Sequence, residues 1–345
     1  MSHANLAIFV PHVGCPNQCS FCNQRSISGQ VKAPTPQEVQ DICRRGLSQL
    51  GQRAPESQIA FFGGSFTAIP RQQMVALLEG AAPFVGKDGF GGIRVSTRPD
   101  AVDEEILALL RSYGVCAVEL GAQSMVNEVL QRNRRGHTAQ QVRQAARLIR
   151  AFGMELGLQM MTGLPGDTPQ GALYTAKEFV ALGPDTVRIY PTVVLEGTDL
   201  ALWQQEGTYR APTVQESVPL CATLLDLFEQ AGIRVIRVGL HDTETLASGC
   251  LGGAYHPAFR ELCEGERYWR KIQAQIQALP KIPQRVILLA APREISKVVG
   301  HHRQNLERLA QMGCRAKVVP SPSLTPGMCQ VLVEEDVTKV SQTSQ

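Results

Sequence analysis

The strongest constraint on this chain is a rhythm. Seven short apolar, β-branched runs (residues 6–10, 58–62, 93–97, 115–120, 155–161, 186–190 and 233–238) alternate with amphipathic stretches over about the first 240 residues. The stretches between them carry readable helix starts: Thr35/Glu38, Thr138/Gln141 and Thr213/Glu216 stand at capping-box spacing. Asp100 and Asp103 precede the helical segment 104–111, where carboxylates suit the positive helix end. Gly114, Gly153, Gly183 and Gly232 each follow a helical run, as C′ glycines do. Successive strands joined by helices require right-handed crossovers and so a mainly parallel sheet. Six or seven such units favour an α/β barrel or open part-barrel over a two-sided sheet, although periodicity alone does not decide it.

After Gly239 the pattern changes. Residues 241–256 are rich in Gly, Ser and Thr and read as a long loop, followed by a helix over 257–279. A strand at 286–290, a helix, a turn at Gly300, a helix over 304–312 and strands at 316–319 and 329–333 complete the order. The expected division is a barrel over 1–240, a loop and connecting helix over 241–280, a small basic α/β domain over 281–336 and a frayed tail over 337–345. Residues 281–320 hold eight Lys/Arg against two acidic residues, a local balance of +6. The chain as a whole is only +3, so the remainder is slightly acidic.

Hydrophobic residues at 43% and charged residues at 19% are ordinary globular chemistry and exclude a mostly disordered chain. No apolar run reaches the roughly 18 residues of a membrane span. The first residues lack a basic region and a long apolar core, so no secretory signal is expected and the cytoplasm is the expected location. In that setting ten cysteines point to reduced thiols and metal ligation, not to a disulfide framework.

Three of the ten are crowded: Cys15-Pro16-Asn17-Gln18-Cys19-Ser20-Phe21-Cys22 follows the first strand. Three thiolates on a short loop can hold three irons of a 4Fe–4S cluster and leave the fourth without a protein ligand. Zinc would want a fourth ligand, which His12 could supply, so a zinc site is the competing reading. Three unligated core cysteines are a poor account, because this polar loop has little to pack against.

The spacing Cys15-x3-Cys19-x-Phe21-Cys22 resembles the signature of the radical S-adenosylmethionine superfamily. The resemblance implies a (β/α)6 partial TIM barrel with its site at the strands' C-terminal ends. It also implies a 4Fe–4S cluster on Cys15, Cys19 and Cys22, whose open iron binds S-adenosylmethionine and cleaves it to a 5′-deoxyadenosyl radical. Phe21 would lie against the adenine, and an electron donor such as flavodoxin or ferredoxin is implied. Gly63-Gly64-Ser65, ending the second strand, matches the glycine motif that contacts the methionyl amino group; glycines permit such close approach. Arg98, Glu119, Gln123, Gln159 and Tyr190 close later strands and are candidates for ribose, carboxylate and adenine contacts, each competing with a plain hydrogen-bonded strand end. Arg134, Arg135 and His137 are weaker candidates for the same contacts, since basic residues beside a helix start are commonly solvated.

The series Val118–Ser124, Arg135-Gly136-His137-Thr138 and Gly163–Thr168 narrows the resemblance to the branch holding the Elongator catalytic subunit and oxygen-independent coproporphyrinogen III oxidase, over residues 5–260. Two departures matter. The cysteine spacer is short, and the residues after the barrel are too few for the acetyltransferase domain of the Elongator subunit. Gln159 also stands where the oxidase has an acidic residue. Neither activity carries over directly.

The C-terminal order resembles a KH module, whose glycine loop clamps a nucleic-acid backbone. Arg303 replaces its second glycine, and Lys297, His301, His302 and Arg303 become candidate RNA-binding residues, against a small lid with a solvated basic face. Cys43, Cys116, Cys221 and Cys329 sit in apolar runs and read as core. Cys250, Tyr255 and His256 are weak candidates for a catalytic role from the glycine-rich loop. The leading expectation is radical chemistry on RNA, tRNA in particular. The alternatives are the same chemistry on a small molecule such as a tetrapyrrole, or a non-catalytic metal-containing RNA-binding protein.

Overall fold

Every apolar run forms a strand, and the runs pair in sequence order. In the computed structural model, which describes residues 5–11, 15, 18–23, 32–241 and 244–334, these are β1 (Asn5–Val10), β2 (Gln58–Gly63), β3 (Ile93–Thr97), β4 (Val115–Gln123), β5 (Glu155–Thr162), β6 (Thr186–Pro191), the short β7 (Val193–Leu195), and β8 (Arg234–Val238). All but β7 make one seven-stranded sheet in the order β1-β2-β3-β4-β5-β6-β8. Each pairing is parallel. The sheet curls into a partial barrel, one of the arrangements the alternation allowed and the one the resemblance implied, with a seventh strand beyond the six. The candidate zinc ligand His12 and the tail 337–345 lie outside the described residues.

Local signals act where the sequence places them. Thr35, Thr138 and Thr213 each close a complete capping box. Asp103 caps its helix by accepting from the Ile106 N–H at 2.7 Å. Gly183 ends the helix Pro169–Leu182 in the left-handed region. Cys43 is fully buried, and burial pushes its thiol up to about 12, the behaviour of a core residue.

Two expectations need correction. Residues 241–256 are not one long loop: they contain the helix Glu244–Ser248 and β9 (Cys250–Gly253), which pairs antiparallel with β7. The glycine content that reads as loop serves close packing, since a Cβ on Gly253 would lie 2.5 Å from the Thr192 carbonyl oxygen. The helix Phe259–Gln277 is also not a connector. Val218–Asp226 and Ala258–Gln345 form a second compact unit, and that helix supplies its core. Tyr268, Ile272 and Ile276 bury against Val286, Leu288, Val298 and Leu309. The unit's sheet has β10 (Arg285–Ala290) at its centre, parallel to β11 (Arg315–Pro320) and antiparallel to β12 (Cys329–Val333).

Candidate functional site

The C-terminal strand ends of the barrel carry two adjoining hollows. The smaller, about 170 Å³, is lined by Cys15, Cys19 and Cys22 together with Gly63, Gly64, Ser65, Arg98, Gln123 and Gln159. Desolvation and the neighbouring Cys19 push the Cys15 thiol up, against the opposing pull of the Ser65 N–H and the Arg98 and Arg135 guanidiniums. Gly63 has φ +110°, and a Cβ there would stand 3.1 Å from the Val10 backbone, so the position admits only glycine where β1 and β2 crowd. Ser65 is buried; its hydroxyl meets Thr97 Oγ1 at 2.9 Å and accepts from the Arg98 N–H at 3.1 Å. Among the described residues no three His, Cys, Asp or Glu side chains are set to hold a single metal ion. Three thiols line this one hollow, a donor set from which a polynuclear cluster could take one cysteine for each of three irons.

The cysteine loop is anchored by a residue that sequence reading passes over. Asn133 is fully buried and accepts from the Ser20 hydroxyl at 2.7 Å. Its amide donates to the carbonyls of Val129 at 2.8 Å and Pro165 at 3.0 Å. One side chain thus ties the loop between Cys19 and Cys22 to the helix Asn127–Arg132 and to the turn after β5. The signal was present as the Asn133-Arg134-Arg135 start, but its partners lie 113 and 32 residues away.

Of the three residues expected to be solvated there, only Arg134 is, pairing with Asp199 at 2.8 Å while 59% exposed. Arg135 is buried. Its Nη1 donates to Cys19 Sγ at 3.1 Å, its Nη2 donates to the Gly121 carbonyl, and its Cζ lies 5.9 Å from the Phe21 ring centroid. His137 is buried too, with Nε2 3.2 Å from the Ala122 carbonyl oxygen. Burial and the Arg135 charge push its imidazole down to about 4.

Glu119, a candidate for cofactor contact, does not face either hollow and is 1% exposed. Arg188 grips it with Nε at 2.7 Å and Nη2 at 3.0 Å, Arg94 Nη1 adds a contact at 3.2 Å, and Gln159 Nε2 donates at 2.9 Å. Burial alone would raise this carboxyl, but Arg188 and then Arg94 outweigh it and hold it below its ordinary value. Both oxygens are committed, so the residue braces β3, β5 and β6 from within the barrel. Arg98 is similarly engaged, bidentate to Asp100 at 2.9 and 2.8 Å, although it still lines the smaller hollow.

The larger hollow, about 460 Å³, shares Phe21, Cys22, Gly63, Ser96, Gln123 and Gln159 with the smaller. Its further walls are mostly apolar, including Phe9, Phe62, Met161, Val193 and Leu195, with Arg188, Tyr190 and His241 as polar points. Burial raises the Tyr190 phenol, against the Arg188 charge, so it remains protonated at neutral pH. His241, which sequence reading did not single out, is pushed down to about 4 by desolvation and by Arg237 and Arg188. Gln123 faces both hollows, has φ +66°, and its buried Oε1 has no partner among the described residues. A strained backbone presenting an orphaned acceptor fits a bound ligand. The structure brings Phe21, Gly63, Gly64, Ser65, Gln123, Gln159 and Tyr190 together round the two hollows.

The weak candidates do not join them. Cys250 donates to the Gly252 carbonyl at 3.6 Å, and both Cys250 and Tyr255 pack on the cluster of Val193, Leu195 and Leu246. Neither they nor His256 line the two hollows. In the second unit, Lys297 is paired with Glu294 at 3.0 Å and His301 with Glu261 at 3.5 Å. His302 and Arg303 are exposed. A Cβ on Gly300 would lie 3.0 Å from the Asn305 side chain, so this glycine is needed for packing as well as for its φ of +77°.

Residues 9–179 match the Radical SAM superfamily and residues 184–269 the Radical_SAM C-terminal domain. The chain is 34% identical over 237 residues to a tRNA uridine(34) acetyltransferase of Dehalococcoides mccartyi, covering 59% of this chain and 52% of that protein. It is 28% identical over 236 residues to Elongator complex protein 3 of Homo sapiens, covering 63% and 42%. The archaeal Methanocaldococcus infernus Elp3 with an N-terminal deletion shares the fold, with a TM-score of 0.62 at 20% identity over 79% of this chain and 63% of that one. The chain spans about half the length of the curated relatives it matches.

Proposed function

The chain belongs to the radical S-adenosylmethionine superfamily, and from that premise we propose that this enzyme modifies RNA, tRNA in particular. The observation that carries the reading is the pair of adjoining hollows: one ringed by Cys15, Cys19 and Cys22, the other larger and mostly apolar, with Phe21, Gln123 and Gln159 in the shared wall. The three cysteines would hold a 4Fe–4S cluster, and Gly63, Gly64, Ser65, Gln123, Gln159 and Tyr190 would face S-adenosylmethionine. Bound together, these groups supply one-electron reductive cleavage and so a hydrogen-abstracting radical. The chain's own part is to position and to exclude. Gly63 removes the side chain that would block close approach, Gln123 Oε1 offers a desolvated acceptor, and the walls of Phe9, Phe62 and Met161 keep water from a reactive species.

The RNA target is supported by the likeness to a tRNA uridine(34) acetyltransferase and by exposed cations of the basic unit, Arg303, Arg315 and Lys317. A tetrapyrrole with several carboxylates fits the larger hollow less well, because its one lining arginine, Arg188, is already engaged by Glu119. Anaerobic reconstitution tests the reading. About four irons and four sulfides per chain, 5′-deoxyadenosine on reduction, and deuterium transfer from labelled tRNA are expected. Binding of tRNA should weaken with salt and with Arg303→Glu, and less with Lys297→Glu, which removes a cation already paired with Glu294. Zinc content without cleavage would refute the catalytic reading; deuterium transfer from metabolites but not RNA would move the target to a small molecule.

A further inference from the structure

We propose that Arg135 sets the reduction potential of the cluster that the three cysteines would carry, an inference that rests on reading those cysteines as an iron–sulfur site. Four arginines of the barrel's interior and rim have carboxylate partners: Arg98 has Asp100, Arg134 has Asp199, and Arg94 and Arg188 share Glu119. Arg135 is buried to the same degree as these inner arginines, yet no carboxylate pairs with it among the described residues. Its Nη1 meets a thiol sulfur, its Nη2 a backbone carbonyl, and its buried Nε meets no partner among the described residues.

A buried cation is costly unless an anion accompanies it. With a cluster bound, the anion at hydrogen-bond distance would be the Cys19 sulfur as its ligand. Hydrogen bonds to ligand sulfurs and the net local charge are the protein's levers on cluster potential. Reduction adds one electron and hence one negative charge beside a fixed positive one. The guanidinium stabilises the reduced state more than the oxidised and raises the potential. Arg98, also near Cys15, has less leverage because Asp100 offsets its charge.

The test is a redox titration of the reconstituted full chain without S-adenosylmethionine, followed by the electron paramagnetic resonance signal of the reduced cluster. Arg135→Gln and Arg135→Met should each lower the equilibrium constant for reduction at least tenfold, about 59 mV for one electron. Arg135→Lys, which keeps the charge but not the fork, should fall by less. Arg134→Gln, one residue away and exposed, should not shift it. Iron and sulfide content at the native level with an unmoved potential in either charge-removing variant refutes the proposal. So does failure of both to load, since Arg135 would then hold the loop together rather than tune it. A native chain that takes up no cluster would instead overturn the reading beneath it.

Discussion

Replacing Glu119 by glutamine separates a brace from a ligand contact. The native carboxylate receives four hydrogen bonds, from Arg188 Nε and Nη2, Arg94 Nη1 and Gln159 Nε2. Glutamine keeps one acceptor oxygen and sets an NH2 group against donors that had faced the other. Two guanidiniums, on side chains 3% and 10% exposed, lose their common countercharge. Breaking a buried pair by removing one partner costs about 3–5 kcal/mol. At about 2–4 °C per kcal/mol for a unit of this size, the barrel's melting point should fall by roughly 6–20 °C. The pH dependence gives a second reading. The Glu119 carboxyl in the folded chain lies below its ordinary value, so the unfolded chain binds its proton first as pH falls. Its stabilisation is present above about pH 4.5 and is lost as pH drops through the folded value; Glu119→Gln should lack that component. Thermal and urea unfolding between pH 3 and 7 measure both. A variant as stable as the native chain but impaired in S-adenosylmethionine binding would refute the brace and restore the cofactor contact.

Cys19→Ala should abolish iron and sulfide uptake on reconstitution, whereas Cys43→Ala, a change to an inert core thiol, should load normally. Asn133→Ala removes the clamp on the cysteine loop and leaves the Ser20 hydroxyl without its acceptor; a loss of about 1–3 kcal/mol in urea unfolding is expected, with reduced cluster occupancy. His137 titrates near 4 when folded, below the ordinary 6.5, so the unfolded chain binds a proton first. Stability should fall as pH drops from about 6.5 toward 4, and His137→Gln should flatten that limb; an unchanged profile would refute the assignment.

Local order was legible because its causes are local. Strand positions, three capping boxes and the Cys15-Cys19-Cys22 run follow from spacing within a few residues, and the glycine pair at 63–64 was recognisable because it ended a strand. The functions of polar side chains were not legible in that way. Glu119 and Gln159 read alike as polar strand ends, yet one braces the barrel and the other also lines both hollows. Arg134 and Arg135 are adjacent in a helix start, yet one is solvated and the other is pressed on a cysteine 116 residues away. The run 241–256 reads as loop because its glycines mask a strand whose partner, β7, lies far upstream. The sequence by itself determined the alternation, hence a parallel sheet, and the thiol cluster at its first turn. Which guanidinium faces a carboxylate and which faces a thiol was decided only when parallel strands brought distant residues side by side, since burial makes each charge's stability depend on the neighbour it finds there.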